Sequence, residues 1–154
     1  MTKTLKNILF SLLVISLCGC ATKQSKQYAK IDKYLSTHFP SQYDPNAKNC
    51  VLVLNEHACL TCVREFANVI EDFINESGKY IVICAYGNTV DISPFTNNAS
   101  ANNVYDDSKF SFIKEIHPNS AAIFINNNRI DTIVDITARN LNQTLTFIKQ
   151  KAND

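Results

Sequence analysis

Residues 50–86 read CVLVLNEHACLTCVREFANVIEDFINESGKYIVICAY, and the order of the parts decides the fold. Cys50 to Leu54 is a short apolar run, and Tyr80 to Tyr86 is a second. Neither alternates apolar with polar residues, which is the pattern of strands covered on both faces and hence of a parallel pair. Between them Val63, Phe66, Val69, Ile70, Phe73 and Ile74 recur at helical spacing and make one apolar face. Asn75-Glu76-Ser77-Gly78 stops that helix, with Gly78 suited to the left-handed position just past a helix end. The stretch is one β-α-β unit.

Downstream, Lys109 to Ile116 is expected to form a short helix. Ala121 to Ile125 and Ile130 to Val134 flank Asn126-Asn127-Asn128-Arg129, a hairpin signal because asparagine tolerates positive φ. Leu141, Leu145 and Ile148 mark a terminal helix, with Thr137 as its expected N-cap. Gly87 to Asp107, rich in Asn, Ser, Thr and Asp, is read as irregular. Upstream, Tyr28, Ile31, Tyr34 and Leu35 predict an extra N-terminal helix ending before His38-Phe39-Pro40, and Ser41 to Asn49 is loop. The expected class is α/β: a central mixed sheet flanked by helices, in the order β-α-β…β-β-α.

The 154 residues are 45% hydrophobic and 19% charged, enough for one globular core and too apolar for a disordered chain. A net charge of +1 lacks the basic excess of a nucleic-acid binder. The chain starts with Lys3 and Lys6 and no acid, continues through the mostly apolar Ile8 to Leu17, and reaches Leu17-Cys18-Gly19-Cys20. A basic start, a short apolar stretch and a small residue before the cut describe a secretory signal over residues 1–19, too short to span a bilayer. Leu17-Cys18-Gly19-Cys20 resembles the lipobox of bacterial lipoproteins. That resemblance implies cleavage before Cys20 and acylation of its thiol, with residues 20–27 a polar tether and 28–154 the domain. Diacylglycerol supplies two chains, the number that stable anchoring needs. The expected location is the extracytoplasmic side of a bacterial envelope membrane. Removing 19 residues leaves 135, with thirteen basic and fourteen acidic side chains. Cys18 departs with the signal.

Of the remaining cysteines, Cys59-Leu60-Thr61-Cys62 carries chemistry. The pair falls where the linker Asn55-Glu56-His57-Ala58 enters the helix. The N–H groups and positive potential of a helix start pull a cysteine thiol below its ordinary pKa, so Cys59 suits an attacking thiolate. Cys62, one turn further in, suits the resolving role. Cys50 and Cys84 read as core thiols, offset along a parallel pair and so not bonded to each other. His57 is a solvated loop residue on the simplest reading and a cation beside Cys59 on the other. His38 and His117 have no partner visible in the sequence.

A CxxC set between a buried strand and an amphipathic helix resembles the thioredoxin-like family, in particular the membrane-tethered thiol–disulfide oxidoreductases of bacterial envelopes. The resemblance covers Cys50 to Lys151 and implies that Cys59 and Cys62 are the redox pair. It also implies a cis-proline before the third core strand, for which Pro118 is the candidate and Ser120 the alternative occupant. Ala58 stands where many members have tryptophan, and Leu60-Thr61 replaces the Gly-Pro of thioredoxin. No flavin or nicotinamide motif is visible, so no cofactor is expected; electrons would pass to or from a protein thiol or disulfide. Three other readings stay open. One is a zinc site built from Cys59, Cys62, His57 and a fourth ligand such as Cys84, although a second paired motif is missing. Another is a structural disulfide in a non-catalytic binding module. A peroxidase is the weakest, since a paired CxxC suits exchange better than a single peroxidatic cysteine.

Overall fold

The computed structural model describes residues 23–57, 80–85 and 104–153. Five strands form one mixed sheet in the order β3-β2-β1-β4-β5: β1 Asn49–Asn55, β2 Tyr80–Ala85, β3 Val104–Asp106, β4 Ala121–Asn126 and β5 Arg129–Asp135. β1, β2 and β3 run parallel, and β4 lies antiparallel to both β1 and β5.

Every residue of β1 and β2 is buried, as their uninterrupted apolar character requires. Because successive side chains point to opposite faces, the two strands feed two cores. Cys50, Leu52 and Leu54 join Tyr80, Val82 and Cys84 on one face, closed by Leu141 and Ile148. Val51 and Val53 join Ile81 and Ile83 on the other, closed by Ile31, Leu35, Phe39 and Phe112. The sheet is thus flanked by helix α1 (23–38) and the short α2 (Ser111–Glu115) on one side and α3 (Leu141–Asn153) on the other. Helix 63–74 of the sequence reading lies outside the described residues.

Four local expectations are corrected. The segment read as irregular holds β3 at its end, a three-residue edge strand too short to show a period. α1 is already helical at residue 23, inside the stretch read as tether. Lys23 to Lys26 are exposed, so this first turn carries no apolar signal. Thr137 does not cap α3. The carbonyl of Asn140 takes the bond from Thr144 N (2.8 Å), while the Asn140 side-chain oxygen turns back to Thr137 N (2.8 Å) and Oγ1 (2.9 Å). The hairpin turn is tighter than expected. Only Asn127 (φ 47°) and Asn128 (φ 60°) lie between β4 and β5, and two left-handed residues match the strand twist of a type I′ turn.

That hairpin is tied to the start of the domain. Gln24 Nε2 donates to the Ile130 carbonyl (2.8 Å), and the Tyr28 hydroxyl donates to Asn128 Oδ1 (3.2 Å). Asn128 reaches the loop before β1 through its N–H to the Pro45 carbonyl (3.0 Å) and its Nδ2 to Asn46 Oδ1 (2.9 Å). Among the described residues no helix is long and apolar enough to cross a membrane.

Candidate functional site

Three parallel strands send their carboxyl ends to one edge of the sheet, where the chain leaves β1 at Asn55. Ligand and reaction sites of α/β sheets favour this edge because the loops there converge. Six polar or charged residues are buried among those described, and Asn55, Glu56, Asp107 and Ser120 lie at this end. A buried polar group persists only where its hydrogen bonds are met, so their partners define the frame.

Asn55 is tied on all sides. Its N–H donates to Ser120 Oγ (2.9 Å), and the same hydroxyl lies 3.4 Å from the Asn55 carbonyl. Its Nδ2 donates to the Pro118 carbonyl (2.9 Å), and its Oδ1 accepts the His57 N–H (3.1 Å). The β1–β4 ladder stops at Val53↔Ala121, so Ser120 supplies with its side chain what the next ladder bond would have supplied. Glu56 carries the β1–β2 pairing one step on by donating its N–H to the Ala85 carbonyl (3.2 Å). His57 then emerges with its side chain 71% exposed and its ring stacked on Phe110 (centroids 4.8 Å, planes 24° apart). Its Nε2 is 4.0 Å from Glu56 Oε1. Phe110 holds a left-handed backbone (φ 55°), and its N–H donates to the Asp107 carbonyl (2.8 Å).

The segment before β4 has a second restraint. His117 Nε2 is 2.8 Å from Asp135 Oδ1, and Asn119 Nδ2 donates to Asp135 Oδ2 (2.9 Å). A carboxylate only accepts, so this nitrogen of His117 carries a proton. The His117 side chain is 13% exposed against 46% for Asp135, and its partner is therefore another element's side chain rather than solvent. His38 also has neighbours: its ring sits 4.1 Å from that of Tyr105 and 4.4 Å from that of Tyr34.

Pro118 does not occupy the cis-proline place expected for it. Every peptide bond among the described residues is trans, and Pro118 is an exposed bend residue three positions ahead of β4. The residue abutting the strand is Ser120, which is 1% exposed and bonded to Asn55. Its hydroxyl fills the space against the end of β1. Cys59 and Cys62, like Cys20, lie outside the described residues. Among the described residues no three His, Cys, Asp or Glu side chains gather as a metal site would require.

Cys50 and Cys84 are both free and buried. Their registers, Cys50↔Tyr80 and Leu54↔Cys84, set them four positions apart along the strands, roughly 13 Å at strand rise. Burial pushes the Cys84 thiol up to about 12, with a smaller push from Asp106, and burial alone pushes Cys50 higher. Burial also raises Tyr43, helped by its bonds to Tyr28 and Asp32. A group whose folded pKa is raised gives stability that is whole below its unfolded value and lost as pH rises through the folded one. The domain is accordingly expected to lose stability above about pH 9, where unfolded thiols ionise and folded ones do not. Urea midpoints at neutral and alkaline pH check this. A midpoint that holds steady up to about pH 11 would refute the dry environment assigned to these groups.

The sequence showed neither the Asn55–Ser120 clamp nor the His117–Asp135 pair. The available signal was the polar Asn55-Glu56 directly after an apolar run, and Ser120 directly before another. Comparison of the chain with protein-family models, with curated proteins and with solved structures gave no match.

Proposed function

We propose that the protein is a lipid-anchored, thioredoxin-like thiol–disulfide oxidoreductase of a bacterial envelope, with Cys59 and Cys62 as its redox pair. The central strand carries this reading. β1 ends at Asn55 on the carboxyl edge of three parallel strands, and the sequence sets Cys59 four residues later. The parallel β1–β2 pair, the β4–β5 hairpin beside β1 and the closing α3 agree with the β-α-β…β-β-α order of that family. The Asn55–Ser120–Pro118 bonds hold the departure point of the linker, which favours a fixed start for the cysteine turn.

In the reaction, the Cys59 thiolate attacks one sulfur of a partner disulfide. A Cys59–partner disulfide forms, and the partner's other sulfur leaves as a thiolate that takes a proton. The Cys62 thiolate then attacks the Cys59 sulfur, closing the Cys59–Cys62 disulfide and releasing the second partner thiol. Two electrons have passed from the protein to its partner, and the reverse direction uses the same steps backwards.

One observation favours a second reading, a non-catalytic binding module of the same fold: Ser120 stands against β1 where the family carries its cis-proline. A single experiment separates the two. Purified Cys62→Ser protein is expected to trap a mixed disulfide with a model disulfide substrate through Cys59, and Cys59→Ser to trap none. Insulin reduction should fall to background in both. No redox equilibrium with glutathione in the unaltered chain would select the binding module, and disulfide exchange that survives both substitutions would overturn Cys59 and Cys62 as the redox pair.

A further inference from the structure

We infer that the hairpin end of the domain rests on the membrane surface, with a basic rim against anionic phospholipid headgroups, while the carboxyl edge of the parallel strands faces away. The inference rests on the lipid-anchor reading of Cys20. Cys20 and Lys23 are three residue steps apart, a reach of at most about 11 Å whatever the conformation between them. α1 is no swinging arm beyond that point. Gln24 is bonded to the Ile130 carbonyl and Tyr28 to Asn128, while Ile31 and Leu35 are fully buried. The anchored cysteine must therefore lie within a few residues' length of the β4–β5 turn, and with it of the loop that Asn46 and Pro45 bind to that turn.

The charge at this end fits that position. Lys23, Lys26, Lys48 and Arg129 are all exposed. Lys48, Arg129 and Lys151 all act on one carboxylate, Asp131, with Lys151 Nζ from the last turn of α3 at 2.6 Å. The carboxylates at this end are Asp131, the exposed Asp44 and Asp32, which accepts from Tyr28 and Tyr43; against Lys23, Lys26, Lys48, Arg129 and Lys151 they leave a basic excess of two. A mature chain that is close to neutral thus carries several cations at the end nearest its proposed anchor. A cluster of this kind is attracted by anionic leaflets, each cation strengthening the attachment by about fivefold at low salt. β1 is roughly 20 Å long, so its far end, with Asn55 and Ser120, is held clear of the headgroups and open to soluble protein partners.

The test uses the full lipoprotein in nanodiscs of mixed phosphatidylcholine and phosphatidylglycerol, read by hydrogen–deuterium exchange against the same protein in uncharged detergent micelles. Intact mass first reports the lipid on Cys20. With the lipid present, amides of residues 40–48 and 126–130 are expected to exchange several-fold more slowly in the discs, and those of 117–120 at an unchanged rate. Added salt, or Lys48→Gln with Arg129→Gln, should reverse the slowing. A lipidated protein with no slowing at the hairpin, or with equal slowing at 117–120, overturns the orientation and leaves the anchor standing. An unlipidated Cys20 overturns both.

Discussion

Asp107→Ala is expected to lower the unfolding free energy by about 3 kcal/mol. The Asp107 side chain is the cap of α2. Oδ1 accepts the Ser111 N–H (2.9 Å) and hydroxyl (2.6 Å), and Oδ2 accepts the Phe112 N–H (2.8 Å). Hydrogen bonds to a charged acceptor contribute about 1.5–3 kcal/mol each, and donors stripped of a buried acceptor add a desolvation cost. These three bonds share one acceptor group, so their contributions overlap rather than add. Asp107 is 2% exposed and Phe112 fully buried, so water cannot replace the lost oxygens without opening the core. Ser111→Ala removes one bond only and should cost about 1 kcal/mol. Urea unfolding of the two variants measures the difference. An Asp107→Ala loss no larger than that of Ser111→Ala would show that the cap does not hold α2.

Leu52→Ala is expected to cost about 3–4 kcal/mol, against about 1 kcal/mol for Ile133→Ala. Leu52 is fully buried in the middle of the central strand, packed among side chains of both neighbouring strands and α3. Truncation there removes transfer energy and leaves a cavity that the surrounding sheet is too rigid to close. Ile133 sits on the edge strand β5, half-buried, where side chains can relax into the gap. The contrast tests the strand order itself. Equal losses at the two positions would mean that β1 is not the centre of the sheet.

What the sequence displayed, and what it hid, follows from how far each interaction reaches along the chain. CVLVL and YIVICA announced themselves because burial on both faces leaves no place for a polar residue. The Asn127-Asn128 turn was legible because positive φ selects its residues locally. β3 was not legible: Val104-Tyr105-Asp106 gains its strand form from pairing with Val82 to Cys84, not from its own pattern. Nor was the start of α1, where Gln24 is fixed by a carbonyl 106 positions away. The candidate site divides in the same manner. The cysteine spacing is a local signal, visible in four residues. The frame at the end of β1 is tertiary, since Asn55 meets Ser120 across 65 positions and His117 meets Asp135 only because a hairpin folds back. Pro118 was singled out for its residue type, but the strand begins at Ala121 and gives the abutting place to Ser120.

The four-position stagger of Cys50 and Cys84 imposes a timetable on maturation. Under the proposed export to an oxidising compartment, the unfolded chain would expose four sulfurs after Cys20, and four cysteines can pair completely in three ways. Each of those complete pairings consumes Cys50 and Cys84, which the closed sheet holds reduced, apart and dry. On that proposal the sheet would have to zip up before oxidants find these two thiols; a chain that folded late would be cross-linked in a form that could no longer close.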